Sequence, residues 1–199
     1  MKAFKTHDSL KILKYSAELG HYIGDAHVPL HTTINHNGQL TNQVGLHAFW
    51  ESRIPELFAG NYNFLVGKAV YCDNPLKAAW KIVKHSHGLL DTVLRFEAEL
   101  NSSFPADQKY SFSERGNTVI KQYSAAYAKA YQDKMEGMVE KQMRSAILMT
   151  GSFWFSAWVD AGQPTLKNLV KIEPTLEEKK QQELENKSYK EGKIIGREL

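Results

Sequence analysis

The 199-residue chain holds one cysteine, Cys72. A single thiol excludes an internal disulfide and any cysteine-based zinc finger, so a zinc site would have to draw on histidine and carboxylate ligands. Long apolar runs are missing too. The longest charge-free one, SAILMTGSFWFSAWV from Ser145 to Val159, falls short of the roughly 20 residues of a membrane-spanning helix and reads as a buried helix. The basic start MKAFKTHDSLKILKYSAELG has no continuous apolar stretch, because charges recur up to Glu18; no export signal is expected in it. No block of like charge exists either. The net charge is +3, the pI is near 8.8, and lysines are interspersed with glutamates, so charge alone marks no nucleic-acid patch. Strand-like alternation and internal repeats are absent from the pattern, and 42% apolar residues suit a packed globular chain. The expected fold class is all-α.

Asp8 or Ser9 can cap a helix running SLKILKYSAELGHYIGDAH, in which Leu10, Leu13, Ala17, His21 and Gly24/Asp25 form one apolar-to-polar stripe ending before Pro29. TTINHNGQLTNQVG reads as a loop. A second helix begins near Gly45 and bends or ends about Pro55. Pro75 opens a long amphipathic helix with Leu76, Ala79/Trp80, Val83, His87, Leu90 and Leu94 on one side. From Asn117 to Asp160 apolar residues such as Ile120, Tyr123, Tyr127, Met138, Met143 and Ile147 return at helical spacing. A bend is expected there at Gly137 or Gly151. Residues 1–165 are expected to form one helical domain. Residues 166–199 form a charged tail, in which Thr175 and Glu178 offer a capping box.

Five of the eight histidines, His21, His27, His31, His36 and His47, crowd into the stretch 21–47. Two are followed four residues later by a carboxylate: His21 by Asp25 and His47 by Glu51. Positions i and i+4 share a helix face, so each pair can aim an imidazole and a carboxylate at one ion. A single such pair is commonly a surface ion pair. Two pairs with His31 between them, the first continuing an apolar stripe inward, favour a metal. His31, His47 and Glu51 supply two imidazoles and a carboxylate, which leaves a fourth zinc position open. His21 and Asp25 make half of another site. His7 lies about 21 Å from His21 if the helix is continuous, and His85 and His87 read as a surface residue and a helix-face residue.

The order His21-x3-Asp25-x5-His31, then His47-x3-Glu51, in GHYIGDAHVPLH and GLHAFWES, resembles the zinc-dependent phospholipase C and fungal single-strand-specific nuclease superfamily. The similarity extends through GSFWFSAWVDAG. What the resemblance implies is a mainly helical phosphodiesterase with three zinc ions. His21 and Asp25 match ligands of the first zinc, Asp25 also bridging to a further one. His31, His47 and Glu51 match the full protein ligand set of the second. His27 matches a histidine beside the ligands, placed behind them or facing substrate. Members of that superfamily begin with a tryptophan that binds zinc, and a nearby histidine and a later aspartate and histidine complete the first site. This chain has no counterparts to these. It therefore resembles the carboxy-terminal part of such an enzyme, shorter by on the order of a hundred residues. The intact protein would be secreted or periplasmic.

The expected function is zinc-dependent phosphodiester hydrolysis, with one complete zinc site and weak or absent turnover. Glu51 in place of aspartate leans toward a phospholipid substrate, with single-stranded nucleic acid as the alternative. Phe49, Trp50, Tyr62 and Phe64 could contact acyl chains or bases, or simply pack in the core. A zinc-binding helical module without catalysis, and a metal-free bundle, are the competing readings.

Overall fold

A computed structural model of the chain describes residues 1–115, 118–167, 176, 179, 180, 183, 184 and 187. Thr175 and Glu178, the expected capping box, lie outside the described residues. The chain is mostly helical, with one two-stranded sheet. It divides into two units: residues 1–18 with those from 156 onward, and residues 19–155. In the first, Ala3, Phe4 and Ile12 pack with Ala157, Trp158 and Ala161. The second holds every candidate ligand.

Helix α1 covers Lys2–Lys5 and α2 Ser9–Ala26. Asp8 caps α2, its carboxylate accepting from the Lys11 N–H at 3.1 Å. The buried stripe of α2 is not the expected one. Leu13, Ala17 and His21 are exposed, whereas Ile12 and Ile23 are buried and Leu19 and Ala26 pack beside them. The two candidate stripes differ by a fraction of a turn, and the bulkier β-branched pair takes the inner side.

A 3₁₀ turn, Pro29–Thr32, follows. The loop after it is stapled by its own amides. Asn35 donates to Thr41 Oγ1 at 3.0 Å and accepts from the Leu40 N–H at 2.7 Å, and Asn37 accepts from the Gly45 N–H at 3.0 Å. Gly38 has φ +73°, and a Cβ there would stand 2.3 Å from the Gln43 carbonyl oxygen. Only glycine fits.

Helix α3, Leu46–Ala48, runs through a π turn, Phe49–Arg53, into α4, Ile54–Phe58. The Ile54 N–H reaches back five residues to the Phe49 carbonyl. Pro55 has no N–H to give the Glu51 carbonyl, and the wider turn ahead of it lets the helix continue past the proline.

Helix α5, Pro75–Ser103, starts with Asn74 accepting from the Lys77 N–H at 2.9 Å. Its expected stripe is also rotated: Leu76, Trp80 and His87 are exposed, and Ile82, Ser86, Val93 and Glu97 are buried. Two of these four are polar, which hid the true face from a hydrophobicity reading.

A hairpin replaces the expected helical start at Asn117. Strands β1, Tyr110–Arg115, and β2, Thr118–Tyr123, pair antiparallel with Tyr110 opposite Tyr123 and Phe112 opposite Lys121. Thr118, Val119 and Ile120 are β-branched and favour the extended chain. Helix α6, Ala125–Lys134, is capped by Ser124. Glu136 and Gly137, both at positive φ, separate it from α7, Met138–Val159. The break thus falls at Gly137, and Gly151 sits inside the continuous α7.

The core joins Leu30, Leu46, Phe49, Trp50, Ile54, Val93, Tyr127, Tyr131 and Val139. Phe49 stacks on Tyr123 at 3.9 Å and on Tyr131 at 5.2 Å between ring centroids. Burial, reinforced by the Glu97 carboxylate, raises the phenol pKa of Tyr123, Tyr127 and Tyr131 above the ordinary 10.0. A raised folded-state value gives stability that is complete below pH 10 and lost as the unfolded chain ionises above it. Stability should therefore fall above pH 10 with a slope of up to about 1.4 kcal/mol per pH unit for each phenol. Urea midpoints measured between pH 9 and 11.5 check this, and a flat profile would contradict it.

Candidate metal centre

Pro29 cannot continue α2, and the chain turns so that Leu30 is fully buried and His31 emerges beside it. Across the loop, Gly45 at φ +96° starts α3, with Leu46 buried and His47 next to it. Glu51 sits one turn on, flanked by buried Trp50. Each ligand candidate therefore projects from backbone whose neighbours are locked in the core, the support that a preorganised site needs.

His31 Nε2 lies 3.1 Å and His47 Nε2 2.6 Å from Glu51 Oε2. One donor atom from each of the three residues falls within 4.8 Å of the other two. Hydrogen bonds from His31 first and His47 second lower the Glu51 carboxyl to a pKa of about 2, so it is ionised at neutral pH. The donor set fits zinc. The His31–Glu51 separation of 3.1 Å is close to the edge of about 3.3 Å of a tetrahedron with zinc-length bonds, the His47–Glu51 separation of 2.6 Å is a hydrogen-bond distance that would have to widen, and three protein ligands leave one position open.

The other half-site is looser. Asp25 Oδ2 is 3.6 Å from His21 Nε2, and Asp25 Oδ1 is 3.8 Å from His31 Nε2. Asp25 thus stands between His21 and the triad. His21 does not face inward as expected: its side chain is 70% exposed because it lies off the buried stripe of α2. His27 is 3% exposed, its Nδ1 2.7 Å from the Ile23 carbonyl oxygen and its Nε2 3.0 Å from Ser145 Oγ. A carbonyl only accepts, so Nδ1 carries the proton and Nε2 accepts from the serine. Burial lowers the pKa of His27 and keeps it neutral. With both ring nitrogens engaged, it braces the end of α2. His36 is exposed, its ring 6.1 Å from that of His47. His85 and His87 are both exposed, His87 against its expected place on the apolar side of α5, and His87 Nδ1 meets Thr32 Oγ1 at 3.1 Å.

Beside the triad a cavity of about 340 Å³ is lined by Asp25 and Glu51 at one side and by Val28, Trp50, Val139 and Met143 among its apolar residues. Phe49 and Trp50 are core, Tyr62 accepts a hydrogen bond from Gln132, and Phe64 is 38% exposed.

Several supporting residues had no sequence signal. Gln142 donates to the His27 carbonyl at 2.6 Å and Ser86 to the Ala26 carbonyl at 2.7 Å, fixing the turn before His31. Gln43 donates to the fully buried Glu97 at 2.6 Å. Their partners lie 54 to 115 residues away in the chain, beyond any local pattern.

No protein-family model, curated protein or solved structure matches this chain.

Proposed function

We propose that the chain carries a zinc centre of the phosphodiester-hydrolase type, related in its ligand order to zinc-dependent phospholipases C and single-strand-specific nucleases. The observation that carries this reading is the convergence of His31, His47 and Glu51 on one point with an open fourth position. A zinc ion bound there supplies an acidified water and polarises a phosphoryl oxygen. The protein's own part is to hold an ionised carboxylate between two imidazoles, and to offer Asp25 within 4 Å of His31 as a further anionic group. The mostly apolar cavity alongside suits the apolar part of a phospholipid better than a string of bases, for which stacked exposed aromatics are the usual platform.

The purified chain should bind about one zinc tightly, because one complete ligand triad exists among the described residues. Slow, chelator-sensitive hydrolysis of phosphatidylcholine, exceeding that of single-stranded DNA, is the expected activity. Zinc content by elemental analysis and the two assays run side by side test the proposal. Absence of tight zinc removes it. Zinc binding without hydrolysis of either substrate would support the non-catalytic zinc module instead, and full turnover would contradict the weak activity expected of one site.

A further inference from the structure

Glu97 is the one carboxylate in the core among the described residues, 0% exposed. Burying an ion is expensive unless its oxygens are fully engaged, and here each oxygen is. One accepts from Gln43 Nε2 at 2.6 Å. The other accepts from the Tyr127 hydroxyl at 2.7 Å, with Lys109 Nζ at 3.3 Å supplying the opposite charge.

What those partners hold is informative. Gln43 also donates to the Leu94 carbonyl at 2.8 Å, and its own backbone N–H bonds to the Gly38 carbonyl at 2.8 Å, closing the loop. Its carbonyl accepts from the Leu46 N–H at 3.1 Å, the residue before His47. Tyr127 packs against Phe49, with ring centroids 5.7 Å apart, and Phe49 stands between His47 and Glu51 in the chain. From one carboxylate, two short paths therefore reach the segment that carries two of the three ligands.

We propose that Glu97 is a positioning residue for the metal centre, fixing the His47–Glu51 segment through Gln43 on one side and Tyr127 on the other. The role rests on the zinc reading for its purpose but not for its geometry. Groups that orient ligands from behind are typically worth 10- to 100-fold in metal affinity.

The test uses the full chain with Gln43→Ala and Glu97→Gln, and with Tyr131→Phe as control. The control loses a buried hydrogen bond of 2.7 Å, Tyr131 hydroxyl to Val93 carbonyl, without touching the Gln43 path. Cobalt(II) affinity, the cobalt absorption spectrum and hydrogen exchange of the metal-free protein are read. Gln43→Ala and Glu97→Gln should weaken cobalt binding at least tenfold, alter the spectrum, and speed amide exchange across residues 46–54 by tenfold or more relative to α7. Tyr131→Phe should leave affinity and spectrum at wild-type values even where its urea midpoint drops. Wild-type exchange across residues 46–54 in the two folded variants overturns the proposal, as does wild-type cobalt affinity in both. A wild-type protein that binds no cobalt would count against the zinc reading alone, since the exchange comparison needs no metal.

Discussion

Replacing Glu51 with alanine is expected to weaken zinc binding by about a thousandfold. Structural zinc in small domains is worth roughly 12 kcal/mol at neutral pH, and shared among three protein ligands this gives about 4 kcal/mol each, or three decades in affinity. Glu51 is also the hub of the triad: both His31 Nε2 and His47 Nε2 approach its Oε2. Its removal deletes the only carboxylate of the triad and the oxygen that both imidazoles approach. His31→Ala and His47→Ala should fall in the same range. His21→Ala should change the affinity by less than tenfold, because that side chain is exposed and 3.6 Å from Asp25. Competition against a chromophoric chelator measures all four. In the wild type, zinc at a thousand times its dissociation constant should stabilise the fold by about 4 kcal/mol, and Glu51→Ala should abolish that shift. A loss below tenfold for Glu51→Ala would show that the triad is not where zinc binds.

Glu97→Ala is expected to cost about 3–5 kcal/mol of folding stability, the usual penalty for breaking a buried charge pair. The deletion takes the acceptor of the Tyr127 hydroxyl and one of the acceptors of Gln43 Nε2 and of Lys109 Nζ, which keep the Leu94 carbonyl and Asn101 Oδ1. Each desolvated donor left without an acceptor costs about 1–3 kcal/mol. For a chain of this size that is a large share of the total, typically 5–15 kcal/mol. Glu97→Gln should cost less, since the amide oxygen can still accept from Tyr127 and Lys109, while its NH2 group faces Gln43 Nε2 and breaks that link. Urea denaturation of the two variants against wild type reads the difference. Equal midpoints for Glu97→Ala and wild type would mean that the network contributes nothing to stability.

The helices were legible where a local rule had no competitor. Asp8 or Ser9, Pro75, and Gly137 or Gly151 were marked as boundaries by their own chemistry, and the structure places boundaries at Asp8, Pro75 and Gly137. The faces of α2 and α5 were not, because hydrophobicity alone assigns polar residues to water. Ser86 and Glu97 turn inward for partners in other elements that no local window contains. The hairpin was missed for a related reason. Ile120 and Tyr123 fit a helical period when read onward to Tyr127, and the β-branched run Thr118, Val119 and Ile120 was the strand signal to weigh against it. The cluster of His31, His47 and Glu51 was legible from spacing alone, as one side of a helix and two residues past a proline. The exposure of His21 was not, since it depends on which of two similar stripes wins.

The chain distances inside the centre differ from those of its supports. His31 and Glu51 are 20 residues apart, whereas Arg53 and Tyr123, which fasten the same region from below, are 70 apart and Gln43 and Glu97 are 54 apart. Closing the 70-residue span costs about 1 kcal/mol more chain entropy than closing the 20-residue one. The candidate triad thus draws on a single short stretch of the polypeptide, whereas the aromatic core and the buried carboxylate draw on nearly all of residues 19–155.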